Sequence, residues 1–171
     1  MNNLFTLFRK LTMGVYVIGV ADGRVRDAFT AASVAHVSYR PLLLSLAINP
    51  QHASYELLLA GKAWTVSVLA GDQIELARRF GTASHSGTNK MDEIQWLTAG
   101  SGAPYLARAQ AYFDCRLVGD FPAGDHRIVV GQVTQGGVLN AAATPLIYAD
   151  TDNLDQSAAL YPSSFDTAQM T

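Results

Sequence analysis

Residues 13–20, Met13-Gly14-Val15-Tyr16-Val17-Ile18-Gly19-Val20, decide the fold. β-Branched and aromatic side chains dominate this run and suit a pleated surface, so it reads as a strand. Ala21-Asp22-Gly23-Arg24 follows, and an Asp-Gly pair there is a strong hairpin signal. Residues 25–39 (VRDAFTAASVAHVSY) form the returning segment. It holds too many small residues to be one regular strand, and Pro41 punctuates it. Residues 42–48 (LLLSLAI) read as a buried strand that ends at Asn49-Pro50.

Outward from this block the pattern repeats. Leu4, Leu7, Phe8 and Leu11 recur at helical spacing over residues 2–11, with Asn2 or Asn3 as cap. Residues 51–60 read as a helix with Gly61 as C-cap, and 63–69 as a strand. Residues 72–80 read as a helix with Asp72 as N-cap, Glu75 at the capping-box position and Gly81 as stop. Residues 82–92 are a polar loop, and a loop that long in a compact domain is more often functional than idle. Residues 109–118 and 127–133 are strands around the turn 122–125, and 145–148 is a last short strand. Strand–helix–strand alternation is never sustained, which argues against a parallel sheet. Short strands joined by turns predict a mainly β chain, folded as a closed or nearly closed antiparallel barrel. The domain is expected over residues 1–149, with 150–171 as an extended polar tail.

The chain has 171 residues, 49% of them hydrophobic and 15% charged. That length suits one domain and buries enough surface to need no disulfide or metal staple. The apolar share excludes a disordered chain. The charged share lies below the ~25% of ordinary globular proteins and points to a further covered surface, such as an oligomer interface. A net charge of −2 gives no electrostatic case for nucleic acid or an anionic membrane. The single cysteine, Cys115, excludes a disulfide framework and reads as a buried, inert thiol. Arg9 and Lys10 interrupt the apolar start, and no run reaches the roughly 18 apolar residues of a membrane span. A soluble cytoplasmic protein is expected.

Several chemistries have no motif here. The P-loop, the dinucleotide fingerprint and the G-x-S-x-G elbow are missing. His36, His52, His85 and His126 lack metal-ligand spacing, so no metal site is expected. Carboxylates form no obvious acid/base pair, so any redox or group-transfer chemistry is expected to come from a cofactor. Four stretches carry candidates. In Phe29-Thr30-Ala31-Ala32-Ser33-Val34, small residues let a flat ligand approach the backbone, and Thr30 and Ser33 offer hydroxyls. Asn49 ends a strand, and Ser54 opens a helix whose N-terminus suits a phosphate. Leu76-Ala77-Arg78-Arg79-Phe80-Gly81 is followed by Lys90. Gly124-Asp125-His126 precedes Ile128–Val133. By residue type alone, each also has a plain reading: strand packing, a strand end, a solvated helix end, a core aromatic, an exposed turn. Trp64 and Trp96 read most simply as packing residues.

Taken in order and spacing, Gly14-Val15-Tyr16-Val17, Thr30-Ala31-Ala32-Ser33, Asn49, Ser54, Phe80-Gly81 and Gly124-Asp125-His126 resemble the flavin reductase-like family of FMN-binding split barrels. The resemblance covers roughly residues 8–148. It implies an antiparallel Greek-key split β-barrel and a homodimer with flavin near the subunit interface. It implies an NAD(P)H-dependent flavin reductase that passes hydride from NADH or NADPH to flavin N5. Electrons then go to free flavin or to a flavin-dependent monooxygenase partner. FMN is the implied cofactor, with FAD as the other candidate. Cofactor contacts are implied for Thr30, Ala31, Ala32, Ser33, Val34, Asn49, Ser54, Arg79, Phe80, Gly81 and Lys90, and a hydrogen-bonding or positioning role at the nicotinamide for His126. The chain departs from the pattern at Ala32 (usually Ser), Arg40 before Pro41, Ser67 (usually Asn) and the segment after Tyr148. That last departure motivates an alternative, an FMN-binding carrier or sensor without efficient NAD(P)H turnover. An oxidase or heme-utilisation relative on the same barrel is the third reading, though such relatives usually carry more basic phosphate-binding residues.

Overall fold

The computed structural model describes residues 3–82 and 89–165. Asp22 makes the first hairpin: its Oδ1 accepts from the Arg24 and Val25 amides, each at 2.8 Å, and Gly23 takes a φ of +92°. Strands β1 (Tyr16–Ala21) and β2 (Arg26–Ala31) therefore pair with Tyr16 opposite Ala31 and Ala21 opposite Arg26. The chain breaks step at Ala32-Ser33 and resumes as β3 (Val34–Tyr39), which pairs with β4 (Leu42–Ile48). The segment 25–39 is thus two strands, as its small residues imply. A cis Arg40-Pro41 peptide makes the β3–β4 turn.

The remaining strands are β5 (Ala63–Val68), β6 (Trp96–Thr98), β7 (Pro104–Leu106), β8 (Ala111–Ala123) and β9 (His126–Val138). Seven form one antiparallel sheet in the order β2-β1-β5-β8-β9-β4-β3, and β6 and β7 pair separately. β5, β8 and β9 meander, and β4 lies beside β9, three places from its successor β5, which is a Greek key. The open sheet is rolled: Phe29 of β2, Ile18 of β1, Trp64 of β5, Val129 of β9 and Leu46 of β4 share one buried core. Its two edge strands are joined by Ala32-Ser33, so the seam of the split barrel is a covalent bend.

The helices are α1 (Leu4–Phe8), α2 (Ala53–Gly61) and α3 (Ile74–Gly81). α1 is shorter than its periodicity predicts. The Asn3 side chain accepts from Phe5, but Leu7, Phe8 and Leu11 are exposed, so no apolar surface draws out the further turn. Gly61 is the last helical residue, and the left-handed cap is Lys62, with φ +52°. The glycine is required by contact: a Cβ there would lie 1.8 Å from the Ala21 carbonyl oxygen. The capping box at Asp72 and Glu75 does not form. Gln73 is the N-cap position, and its side chain instead takes the Ala70 N–H and donates to the Arg108 carbonyl. Glu75 pairs with Arg78 at 3.4 Å.

The β8–β9 hairpin is longer than expected and turns on two residues, Gly124 (φ +63°) and Asp125. Residues 145–148 contribute only isolated bridges, Ala70 to Pro145 and Gly14 to Ile147, in place of a strand. Outside the barrel, Val15, Val17 and Ala28 pack under Ala77 and Phe80 of α3 and Leu106 of β7. Among the described residues no helix is long and apolar enough to cross a membrane.

Candidate active site

Strand register gathers the candidates at one end of the barrel. Ile48 lies opposite Arg127, which sets Asn49 at the level of His126. The Ala47 N–H donates to the Ser33 carbonyl at 3.0 Å, which brings the Ala32-Ser33 bend against the same end of β4. The β2–β3 seam, the end of β4 and the start of β9 therefore form a continuous rim. Among the described residues, no group accepts from the backbone N–H of Ala32 or Ser33. The Asn49 Oδ1 is taken by the Gln51 N–H at 2.9 Å, which turns the chain toward α2. His126 is part-exposed at the hairpin tip, with Nδ1 2.8 Å from Asp125 Oδ1. That hydrogen bond, with the histidine's charge, holds the Asp125 carboxyl below its usual range. An ionised carboxylate only accepts, so Nδ1 carries the proton and Nε2 is left for a ligand.

Other candidates are committed within the protein. The Thr30 hydroxyl donates to the Ala77 carbonyl at 2.7 Å and ties α3 to β2. Val34 begins β3 and packs part-buried against the barrel core. Ser54 is fully buried, and its hydroxyl donates to Asp27 Oδ2 at 2.6 Å. Its amide donates to the His52 ring, which is the true N-cap of α2. Arg79 donates from Nε to the Lys90 carbonyl at 2.7 Å and from its terminal nitrogen to that of Asp92. Lys90 donates to the Thr82 carbonyl. Phe80 is buried edge-on against Trp96, with ring centroids 5.4 Å apart, and is a packing residue in the outer layer. Much of the 82–92 loop, with His85, lies outside the described residues.

Two clusters escape a reading by sequence. At the start of α2, Asp27 and Lys90 lie close enough to bias the charge of His52. Burial pushes the His52 pKa down, Asp27 pulls it back and Lys90 lowers it further. Burial also lowers Lys90, against the opposing pull of Asp27. Near the tip of the hairpin, Asp120 accepts from Arg127 Nε at 2.8 Å and from the Tyr55 hydroxyl at 2.7 Å. The Arg127 hydrogen bond holds the Asp120 carboxyl below its ordinary range. Each group is distant in sequence from at least one partner, and no local motif marks any of them. Among the described residues, no three His, Cys, Asp or Glu side chains are placed to hold a metal ion.

A cleft of about 80 Å³ lies on the outer side of the seam, lined by Thr30, Ala31, Ala32 and Gly81 on the barrel side. Thr151, Leu154 and Asp155 line its other side, so the C-terminal segment folds back over the small-residue stretch. The polar groups on this rim are two backbone N–H groups, the Ser33 hydroxyl, the Asn49 amide and the His126 ring. Such donors suit a flat heterocycle rich in carbonyl and ring-nitrogen acceptors, and a flavin ring system is one.

The flavin reductase like domain family matches residues 8–155. The chain is 34% identical over 131 residues to an NADH-dependent FAD reductase of Streptomyces globisporus, covering 74% of this chain and 70% of that protein. It is 31% identical over 143 residues to an NADH:FMN oxidoreductase of Rhodococcus qingshengii, covering 82% and 73%. Other curated relatives are longer: the chain spans 61% of one and 24% of another. Among solved structures it superposes on the Streptomyces globisporus C-1027 NADH:FAD oxidoreductase SgcE6 with a TM-score of 0.79 at 28% identity, covering 86% of this chain and 88% of that one. It superposes on BorF, the flavin reductase component of a bacterial two-component tryptophan halogenase, with a TM-score of 0.73 at 28% identity, covering 84% and 96%. With a rolled Greek-key sheet, a polar rim at its seam and a family match over most of its length, the chain belongs to the flavin reductase-like domain family.

Proposed function

We propose that the chain is an NAD(P)H-dependent flavin reductase that holds FMN at the seam rim and passes electrons to free flavin or to a partner monooxygenase. The observation that carries this is the convergence of the Ala32-Ser33 backbone, Asn49 and His126 at one end of the barrel. When bound, the flavin supplies the redox chemistry by accepting a hydride at N5 from reduced nicotinamide. The protein supplies binding, orientation and polarity. The Ala32 and Ser33 N–H groups and the Asn49 amide would hold the ring carbonyl oxygens. Lys90, which lies within electrostatic reach of His52 at the start of α2, would face the phosphate. His126 Nε2 would position the nicotinamide and, by fixing its orientation, contribute through proximity.

FMN rather than FAD is the proposed resident flavin, and NADH or NADPH the reductant. The named activities of the two reductase relatives support flavin and NADH use, and that of BorF supports a partner oxygenase. A homodimer is supported by the apolar outer edge, where Val37 is 53% and Tyr39 81% exposed beside exposed Leu42. We place the protein in the cytoplasm.

Steady-state kinetics of His126→Ala test the assignment. Losing one ligand hydrogen bond costs about 1–1.5 kcal/mol, so KM for the nucleotide should rise roughly tenfold. The flavin Kd should be retained. Unchanged nucleotide kinetics would remove His126 from the mechanism.

A further inference from the structure

We propose that the C-terminal segment Tyr148–Tyr161 is a displaceable outer wall of the flavin cleft, and that Arg9 and Leu154 thereby set flavin affinity. The inference rests on the flavin reading above and concerns the side of that site lined by Thr30, Ala31, Ala32 and Gly81. The cleft over Thr30–Ala32 measures about 80 Å³. Sites that enclose a drug-sized ligand run to about 300–1,000 Å³. A three-ring flavin that contacted Thr30, Ala31, Ala32 and Gly81 from this side would need the space that Thr151, Leu154 and Asp155 fill, so one of the two walls would have to give way. The seam is fixed, because Thr30 is bonded to α3 and Ala31 is in the β1–β2 ladder.

The wall is attached differently. Beyond Tyr148, none of its residues belongs to either buried apolar core, and Leu160 is exposed. Its hold is a polar and aromatic clasp with the N-terminal helix. The Arg9 guanidinium donates to the Ala149 and Asp152 carbonyls and lies 5.2 Å from the centroids of both the Phe5 and Tyr148 rings. The Tyr161 ring packs on Phe5 and Phe8 at 5.8 and 5.4 Å. Within the segment, the Tyr148 hydroxyl meets Asp155 at 2.9 Å and Ser157 at 2.8 Å. Asp152 and Gln156 hold φ values of +51° and +58°, a region that disfavours side-chain-bearing residues, so the folded-back path is imposed by its contacts. Leu154 is the piece that intrudes: its Cδ2 comes within 3.7 Å of where a Gly81 Cβ would stand. Segments with few buried apolar contacts open at low free-energy cost. If only the opened fraction binds flavin, the apparent Kd is the intrinsic Kd divided by that fraction.

The test is an FMN titration of the full chain and of the variants Arg9→Gln and Leu154→Ala, followed by flavin fluorescence. Limited proteolysis within residues 149–161 runs in parallel. Loosening the clasp or trimming the intruding side chain should lower the apparent Kd for FMN several-fold and raise the association rate. FMN should also speed cleavage of the wall in the unmodified chain. Binding that is unchanged or weaker in both variants, with the unmodified chain binding FMN, overturns the wall and leaves the flavin reading standing. No FMN binding by any of the three overturns the flavin reading, and this inference with it.

Discussion

Thr30 and Ser54 show how far a side chain's type can mislead. Both offer a hydroxyl beside a small-residue or helix-start signal, yet Thr30 secures α3 and Ser54 is buried on Asp27. His52 is the converse, a residue with no motif that caps α2 through its ring nitrogen. Capping requires the neutral ring, since a protonated Nδ1 cannot accept. Burial holds its pKa below the ordinary ~6.5. The unfolded chain therefore takes up the proton first as pH falls. The stability this cap supplies is present above about pH 6.5 and is lost on further acidification toward the folded pKa. Hydrogen exchange should report it: the Ser54 amide should lose protection as pH falls below about 6.5. In His52→Asn, which caps without titrating, protection should not change with pH. Equal pH dependence in both proteins would remove His52 as the cap. Cys115 is as its surroundings suggest, buried with its pKa pushed up to about 12 chiefly by burial.

At the scale of elements, the β8–β9 hairpin carries His126 and is tied to α2 through the contacts of Asp120 with Arg127 and Tyr55. Asp120 is held below its usual pKa, so its contribution is present above about pH 4 and is lost as pH falls through the folded value. Asp120→Asn should lower Tm by a few degrees near neutrality, and the difference should shrink as pH falls through the folded value and the native side chain is protonated too. A pH-independent difference would mean that the ion pair is not the tie. The hairpin itself was legible, because Gly124-Asp125 sits between alternating runs. Its tie to α2 was not, because Tyr55 and Asp120 are brought together only by packing. β6 and β7 escaped notice because three-residue strands give period-two alternation no room. Gly61 was legible as special but for the wrong reason: spacing marks a helix end, and only the approach of the Ala21 carbonyl shows why no side chain fits.

Across the whole molecule, the sheet rolls because the segment 26–39 serves both edges, and the bend at Ala32-Ser33 leaves backbone donors at the seam. Small residues and turn chemistry carried that much in the sequence. The return of residues 148–161 over the cleft did not, since a polar segment without a period gives no sign of its path. The sparse charge of the chain fits a site built from amides and a hydroxyl in which a bound flavin carries the reactivity. Anaerobic titration of the flavin-loaded protein with NADH and with NADPH tests this most directly. The account predicts stoichiometric bleaching of the flavin absorbance by at least one nucleotide. Flavin that stays bound and oxidised in excess of both nucleotides would contradict it.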